Sequence, residues 1–278
     1  MSQPRVAVIG HVEWVQFARV EHVPCAGEVV HAGDPFEEPA GGGAVAAVQL
    51  ARLAGESLLF TALGDDEHGD RSLARLSDLG VSVHAARLSA PTRRAFTLFD
   101  DAGERTITTL EPRLEPLHEA EEIGWGALAG LDGVYFTAGD LDALRAARAA
   151  SRVLVASPRA GQALGQGVRL DALVMSADDP IERRAAARAE VDAELVMVTE
   201  GRLGGSYRSS SSAGRWEGAP VEKPVDAYGC GDSFAAGLTY GLAAGMDVES
   251  ALTLAARCGA ACLTGRGPYG RQLSGRES

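Results

Sequence analysis

Short apolar runs alternate with Ala- and Arg-rich stretches along most of the chain. RVAVI (5–9), SLLFTAL (57–63), GVYFT (133–137), RVLVA (152–156), ALVM (172–175) and ELVMVT (194–199) are branched and bounded by turn residues, the pattern of strands buried on both faces. Between them lie AVAAVQLARLA (44–54), HGDRSLARLSDLG (68–80), LDALRAARAA (141–150) and IERRAAARAE (181–190). Their apolar residues recur at intervals of three and four, with Arg and Glu on the other face, which predicts amphipathic helices. Strand and helix alternating this often predict an α/β fold, a mostly parallel central sheet covered by helices on both faces.

Two stretches break the alternation. Residues 12–36 carry Pro24, Gly27, Gly33 and Pro35 and show no helical period. Residues 93–110 read as a hairpin, RRAFTLF and RTITTL around the turn DDAGE. Both fit a small antiparallel sheet standing off the main one, within a single domain spanning 1–278. SSSSAG, inside YRSSSSAGRW, predicts one more hairpin tip between strands near Tyr207 and Trp216.

Composition narrows the classes. With 278 residues, 46% hydrophobic and 23% charged, the chain is long enough to bury a substantial core. A formal net charge of −12 argues against nucleic acid or an anionic membrane surface as partner. MSQPRVAVIG runs straight into a strand, and no apolar run approaches the roughly 20 residues that span a bilayer, so a cytoplasmic protein is expected. Cys25, Cys230, Cys258 and Cys262 have no disulfide-framework spacing and read as reduced thiols. Cys258 and Cys262 lie one helical turn apart, a pair read as packing residues rather than metal ligands.

The chemistry concentrates in glycine turns that open helices. In DAYGCGDSF (226–234), the turn Gly229-Cys230-Gly231 precedes Asp232. Such a turn aims unpaired N–H groups at one spot, where the helix dipole favours negative charge. That suits phosphoryl oxygens, and Asp232, kept ionised by the dipole, is placed to take a proton from a hydroxyl. The same dipole predicts a lowered thiol pKa for Cys230. Gly41-Gly42-Gly43 opens the helix at 44–54 and lets a ligand approach the backbone. Thr199-Glu200-Gly201 and Gly204-Gly205 follow a strand, where ligands of parallel sheets sit. There is no G-x-x-x-x-G-K-[ST], H-E-x-x-H, G-x-S-x-G or C-x-x-C.

Together, AGGGAVAAVQLARLAG (40–55), VTEGRLGGSY (198–207) and DAYGCGDSFAAG (226–237) resemble, in this order, the signatures of the ribokinase-like (PfkB) carbohydrate kinases. The resemblance implies an α/β fold with a small β lid, here residues 12–36 and 93–110. It implies ATP and Mg²⁺, with a monovalent cation left open, and transfer of the γ-phosphate to a hydroxyl of a small molecule, a sugar or a nucleoside. Asp232 matches the catalytic base, and Gly229, Cys230 and Gly231 match the anion hole. Gly41, Gly42 and Gly43 fall at the substrate cradle, and Thr199, Gly201 and Gly204 at the nucleotide. Lids of this family often form homodimer interfaces, which is the expectation here for TLF (97–99) and TITTL (106–110).

The departures bear on the substrate. Tyr228 replaces the signature's Thr and is expected beside the nucleotide. The family's N-x-x-E element, which organises Mg²⁺ through water, reads Ser176-Ala177-Asp178-Asp179, so Asp179 matches the acid. Val15 and Val45 stand where sugar kinases carry a substrate-binding Asp and Asn. Glu13 or Asp34 is the candidate replacement, the alternative being a substrate less hydroxylated than ribose or fructose. Asp140, after GVYFT, is a further candidate contact, and Arg93, Arg94 and Arg105 are candidates to neutralise a substrate phosphate. The alternatives are a nucleoside kinase of the same fold, with Trp14, Val15 and Val45 as apolar walls, and a non-catalytic sugar- or nucleotide-binding sensor.

Overall fold

A computed structural model describes residues 3–100 and 105–275. In chain order the strands are β1 (Val6–Ile9), β2 (Glu13–Arg19), β3 (Gly33–Ala40), β4 (Ser57–Gly64), β5 (Val81–Leu88), β6 (Arg94–Phe99) and β7 (Arg105–Leu110). They continue with β8 (Leu131–Phe136), β9 (Ser151–Ala156), β10 (Leu170–Ser176), β11 (Ala193–Thr199), β12 (Gly205–Arg208) and β13 (Ala213–Trp216). The helices are α1 (Gly42–Ala54), α2 (Glu67–Asp78), α3 (Leu141–Ala150), α4 (Pro180–Arg188), α5 (Cys230–Ala243) and α6 (Val248–Leu263).

Nine strands form the main sheet in the order β13-β12-β11-β10-β9-β8-β1-β4-β5. All neighbours are parallel except β11–β12 and β12–β13, the second being the hairpin around the serine run. The periodicity reading omits β5, VSVHAARL, whose burial alternates too weakly to read as a strand; it pairs with β4 along its whole length.

Alternation along the parallel strands sorts the core into two layers. In β1, Val6 and Val8 face α1, α2, α5 and α6, while Ala7 and Ile9 face α3 with Phe60, Val134 and Phe136. Phe60 and Phe136 are fully enclosed, and truncating either to Ala removes about 3–5 kcal/mol of stability. The helices start where side chains satisfy their first N–H groups: Asp66 accepts from Gly69 N, Asp140 from Ala143 N and Asp247 from Ser250 N, each at 2.8 Å.

The second sheet is the lid, in the order β3-β2-β6-β7. It is not wholly antiparallel as the turn-rich sequence suggests: β2 and β6 run parallel, with Trp14 opposite Arg94. The crossover through β3, α1, β4, α2 and β5 separates them, so no hairpin links the pair. Of the predicted turn DDAGE, residues 101–104 lie outside the described residues. Phe17 stacks on Phe36 at 4.7 Å and Phe99 at 6.0 Å between ring centroids, giving the lid an apolar inner face. Arg75 grips Glu38 through two 2.8 Å hydrogen bonds, and Arg71 lies 4.2 Å over the Trp14 ring, tying the lid to α2. Because β2 begins four residues after β1 ends, the lid rises from the carboxyl edge of the main sheet.

Candidate active site

The carboxyl ends of β1, β8, β9, β10 and β11 lie side by side along that edge, where open α/β sheets place their ligands. Each contributes residues at or just beyond its end: Gly10 and His11, Thr137, Ser157 and Arg159, Ser176, and Thr199. Helices α1 and α5 begin at the same edge.

The two glycine turns meet there. A Cβ on Gly43 would lie 2.6 Å from the Gly10 carbonyl carbon, a backbone contact that only glycine permits. A Cβ on Gly42 would lie 2.9 Å from Asp232 Oδ1, 3.4 Å from Thr137 Oγ1 and 3.6 Å from the His11 ring. Gly229, at φ 80°, turns the chain into α5 and rests on the Val45 side chain. The N–H groups of Gly231 and Asp232 have no acceptor among the described residues, and that of Cys230 reaches Ala227 O only at 3.5 Å. The site thus presents open donors beside a carboxylate, under a surface stripped of side chains.

Asp232 does not remain an ordinary ionised cap. Burial pushes its carboxyl up to about 6, Glu182 and Glu13 push the same way, and Arg159 and Arg105 oppose them. The thiol of Cys230 likewise moves opposite to the dipole argument. A hydrogen bond with the Cys262 thiol, then burial, holds it well above the usual range.

Arg159 organises the acids beside β10. Its Nε donates to Glu182 Oε1 at 2.7 Å and its Nη2 to Asp179 Oδ2. Glu182 Oε2 accepts from Ser176 N at 2.8 Å, and Asp179 Oδ1 caps α4 through Ile181 N at 2.8 Å. The sequence pointed to Asp179 but missed Glu182, one helical turn further on and more buried, and missed Arg159. The position of Arg159, just after a buried strand, was the available signal.

Tyr228 lies between the 41–43 glycine turn and the lid. Its hydroxyl accepts from Gly41 N at 3.3 Å and reaches Glu13 Oε1 at 3.5 Å, and its ring meets Phe17 edge-on at 5.0 Å. Glu13 is buried, which raises its carboxyl, with Arg93 at 3.4 Å and Tyr228 countering that rise. His11 is also buried. Desolvation, then Arg113, Arg93 and Arg159, lowers its imidazole well below the ordinary value, so it is neutral.

Other expected residues lie elsewhere. Asp140 caps α3 and accepts from His118 N at 3.1 Å, which commits both oxygens. Asp34 is exposed on β3, where its carbonyl accepts from Arg266 at 2.7 Å. Arg94 pairs with Glu111 at 2.8 Å, while Arg105 donates to Ala227 O at 2.9 Å, just before the glycine turn. Val15 and Val45 are 0% exposed and sit in the core. Cys258 packs beside Leu53, Leu254 and Leu273, and Cys262 donates to Tyr228 O at 3.2 Å. At the end of β11, Thr199 Oγ1 donates to Met175 O at 3.4 Å, Gly201 opens the following loop at φ 57°, and Gly204 lies against the Trp216 carbonyl. Trp216 stacks on Phe234 of α5 at 5.5 Å, joining that loop to the helix that carries Asp232.

Comparison with known proteins identifies the family. The pfkB family carbohydrate kinase profile matches residues 3–164 and 169–273. An ATP-dependent ribose-1-phosphate kinase of Halopiger xanaduensis is 31% identical over 276 residues, covering 92% of this chain and 90% of its own. A fructokinase of Klebsiella pneumoniae is 28% identical over 269 residues, covering 82% and 87%. The crystal structure of a ribokinase from Thermotoga maritima superposes with a TM-score of 0.76 at 22% identity, covering 99% and 97%.

A doubly covered parallel sheet with a β lid, and a glycine turn presenting a carboxylate at its carboxyl edge, define a ribokinase-like kinase fold. The chain belongs to the pfkB family of carbohydrate kinases and is an ATP-dependent sugar phosphotransferase. Among the described residues no helix is long and apolar enough to cross a membrane.

Proposed function

We propose that the protein transfers the γ-phosphoryl group of ATP to a hydroxyl of a phosphorylated sugar, with Asp232 as general base. The observation that carries the reading is the carboxylate of Asp232 facing Gly42 beside the unpaired N–H groups of the α5 turn. A hydroxyl lying on Gly42 gives its proton to Asp232 as its oxygen attacks phosphorus. The N–H groups of Cys230, Gly231 and Asp232 hold the negative charge of the transferred group. A carboxyl near 6 is ionised at neutral pH and yet basic enough to take that proton in the transition state.

Arg93 favours a phosphorylated acceptor. It meets Glu13 through Nε, leaving its two Nη groups with no partner among the described residues. A guanidinium fork of that kind matches a phosphate. The name of the Halopiger relative points the same way. The nucleotide is assigned to Thr199, Gly201 and Gly204, with Asp232 between it and the acceptor.

Asp179 and Glu182 are the donors suited to a Mg²⁺ that keeps most of its waters and is shared with the phosphates, which it would neutralise. The exposed edge strand β7, with Ile107 and neighbouring Phe96 partly uncovered, is the face through which two lids would pair. A nucleoside acceptor is less well supported, because Val15 and Val45 are enclosed in the core and offer a base no wall.

ADP release from MgATP, measured against sugars, sugar phosphates and nucleosides, tests the reading. Stimulation by a phosphosugar, abolished in Asp232→Asn, is the expected result. ATP binding without turnover on any acceptor would leave a sensor.

A further inference from the structure

Two positions at which sugar kinases grip hydroxyls are occupied here by enclosed valines, so the acceptor needs other partners. His11 stands out. It is the first residue beyond the Gly10 turn after β1, only 7% exposed, and its Nδ1 has no hydrogen-bond partner. Buried ring nitrogens are normally satisfied, so an enclosed one without a partner beside two glycine turns is a group for a ligand to complete. The ring lies against both substrate glycines: a Cβ on Gly41 would be 3.0 Å from its Nε2, and one on Gly42 would be 3.6 Å from its Cε1. The second neighbour of Gly42, Thr137 Oγ1, is also buried without a partner. Two unsatisfied groups and the Asp232 carboxylate therefore surround one patch of bare backbone.

We infer that His11 is a specificity-determining residue whose Nδ1 hydrogen-bonds a hydroxyl of the acceptor next to the one Asp232 deprotonates, with Thr137 Oγ1 as a second contact. This rests on the proposed sugar-kinase reaction. An imidazole without charge both donates and accepts, which matches a hydroxyl, and it adds no cation beside Asp232 to weaken the base. The acceptor class is a sugar with two adjacent hydroxyls presented to the glycine loop.

The test compares the parent with His11→Ala and His11→Asn, whose amide falls near the place of Nδ1. The probes are ribose, ribose 1-phosphate, fructose and their monodeoxy analogues. His11→Ala raises the acceptor KM about tenfold and leaves the KM for ATP within twofold, and His11→Asn recovers most of the loss. One monodeoxy analogue is used equally well by parent and His11→Ala, which identifies the hydroxyl that Nδ1 contacts. An unchanged acceptor KM in His11→Ala, or equal losses on every analogue, overturns the inference while the kinase reading stands. No turnover by the parent on any probe, with ATP bound, overturns both.

Discussion

Gly42 and Asp232, separated by 190 positions in sequence, are so close that a single methyl group on the glycine would stand 2.9 Å from the carboxylate. The contact joins the N-terminal turns of α1 and α5. In the proposed reaction it sets the thickness of the space in which a hydroxyl meets its base. Gly42→Ala fills that space and brings the new methyl to ordinary contact distance of the Thr137 hydroxyl and the His11 ring. It should lower kcat/KM for the acceptor about a hundredfold and shift the melting temperature by no more than a few degrees. Steady-state kinetics and thermal unfolding measured on the same preparation check this, and activity near the parental level would mean that the acceptor does not lie on Gly42.

Asp232→Asn separates chemistry from stability. Turnover should fall by about 10³, the scale on which a general base acts. Stability should move the other way. The folded-state carboxyl lies at about 6 against an ordinary 3.8, so ionising it costs the folded protein. That cost is absent below pH ~4, grows as pH rises through the interval between the two values, and is complete above pH ~6. At about 1.4 kcal/mol per tenfold change in proton affinity it amounts to at most about 3 kcal/mol. Urea unfolding should find Asp232→Asn more stable than the parent at pH 8 and equal to it at pH 4. Equal stability at both would contradict the raised carboxyl.

Much of this arrangement was legible in the chain. Six strands and four helices follow from period alone, because parallel strands buried on both faces read as apolar runs. Asp232 and the three glycine stretches stand out because a turn that opens a helix must use glycine where backbone meets backbone. The partners of Asp232 do not stand out. Arg159 follows a strand and Glu182 lies in a helical run, and only folding shows that they pair beside Asp232. Nor does sequence separate Asp140, which saturates itself as a cap, from a substrate carboxylate. Tyr228 shows the same limit: signature alignment puts it near the nucleotide, but its ring follows the apolar face of the lid toward Phe17.

Tyr228→Phe keeps that ring packing and removes the hydroxyl between Gly41 and Glu13. With the bond to Glu13 long, the stability cost should be modest, about 1 kcal/mol. The functional effect should be selective, a several-fold rise in acceptor KM with the KM for ATP unchanged, because the loosened groups belong to the glycine loop and lid. A rise in the KM for ATP instead would place Tyr228 functionally on the nucleotide side.

Arg159 is the strongest counter-charge to Asp232, the group that most favours its ionised form, and it also pairs with Glu182 and Asp179. Replacing it by Met removes the cation and leaves three acidic groups facing one another. Like charges at close range raise carboxyl pKa values, so Asp232 should become harder to ionise. The acid limb of the kcat/KM profile, expected near pH 6 in the parent, should therefore move to higher pH in Arg159→Met. Activity lost at pH 7 should return in part at pH 8.5. If Arg159 acted only by packing, the profile would fall evenly at all pH values with its limb unmoved. Rate measurements from pH 5 to 9 distinguish the two, and Arg159→Lys, which restores the charge without the fork, should return the limb toward its parental position.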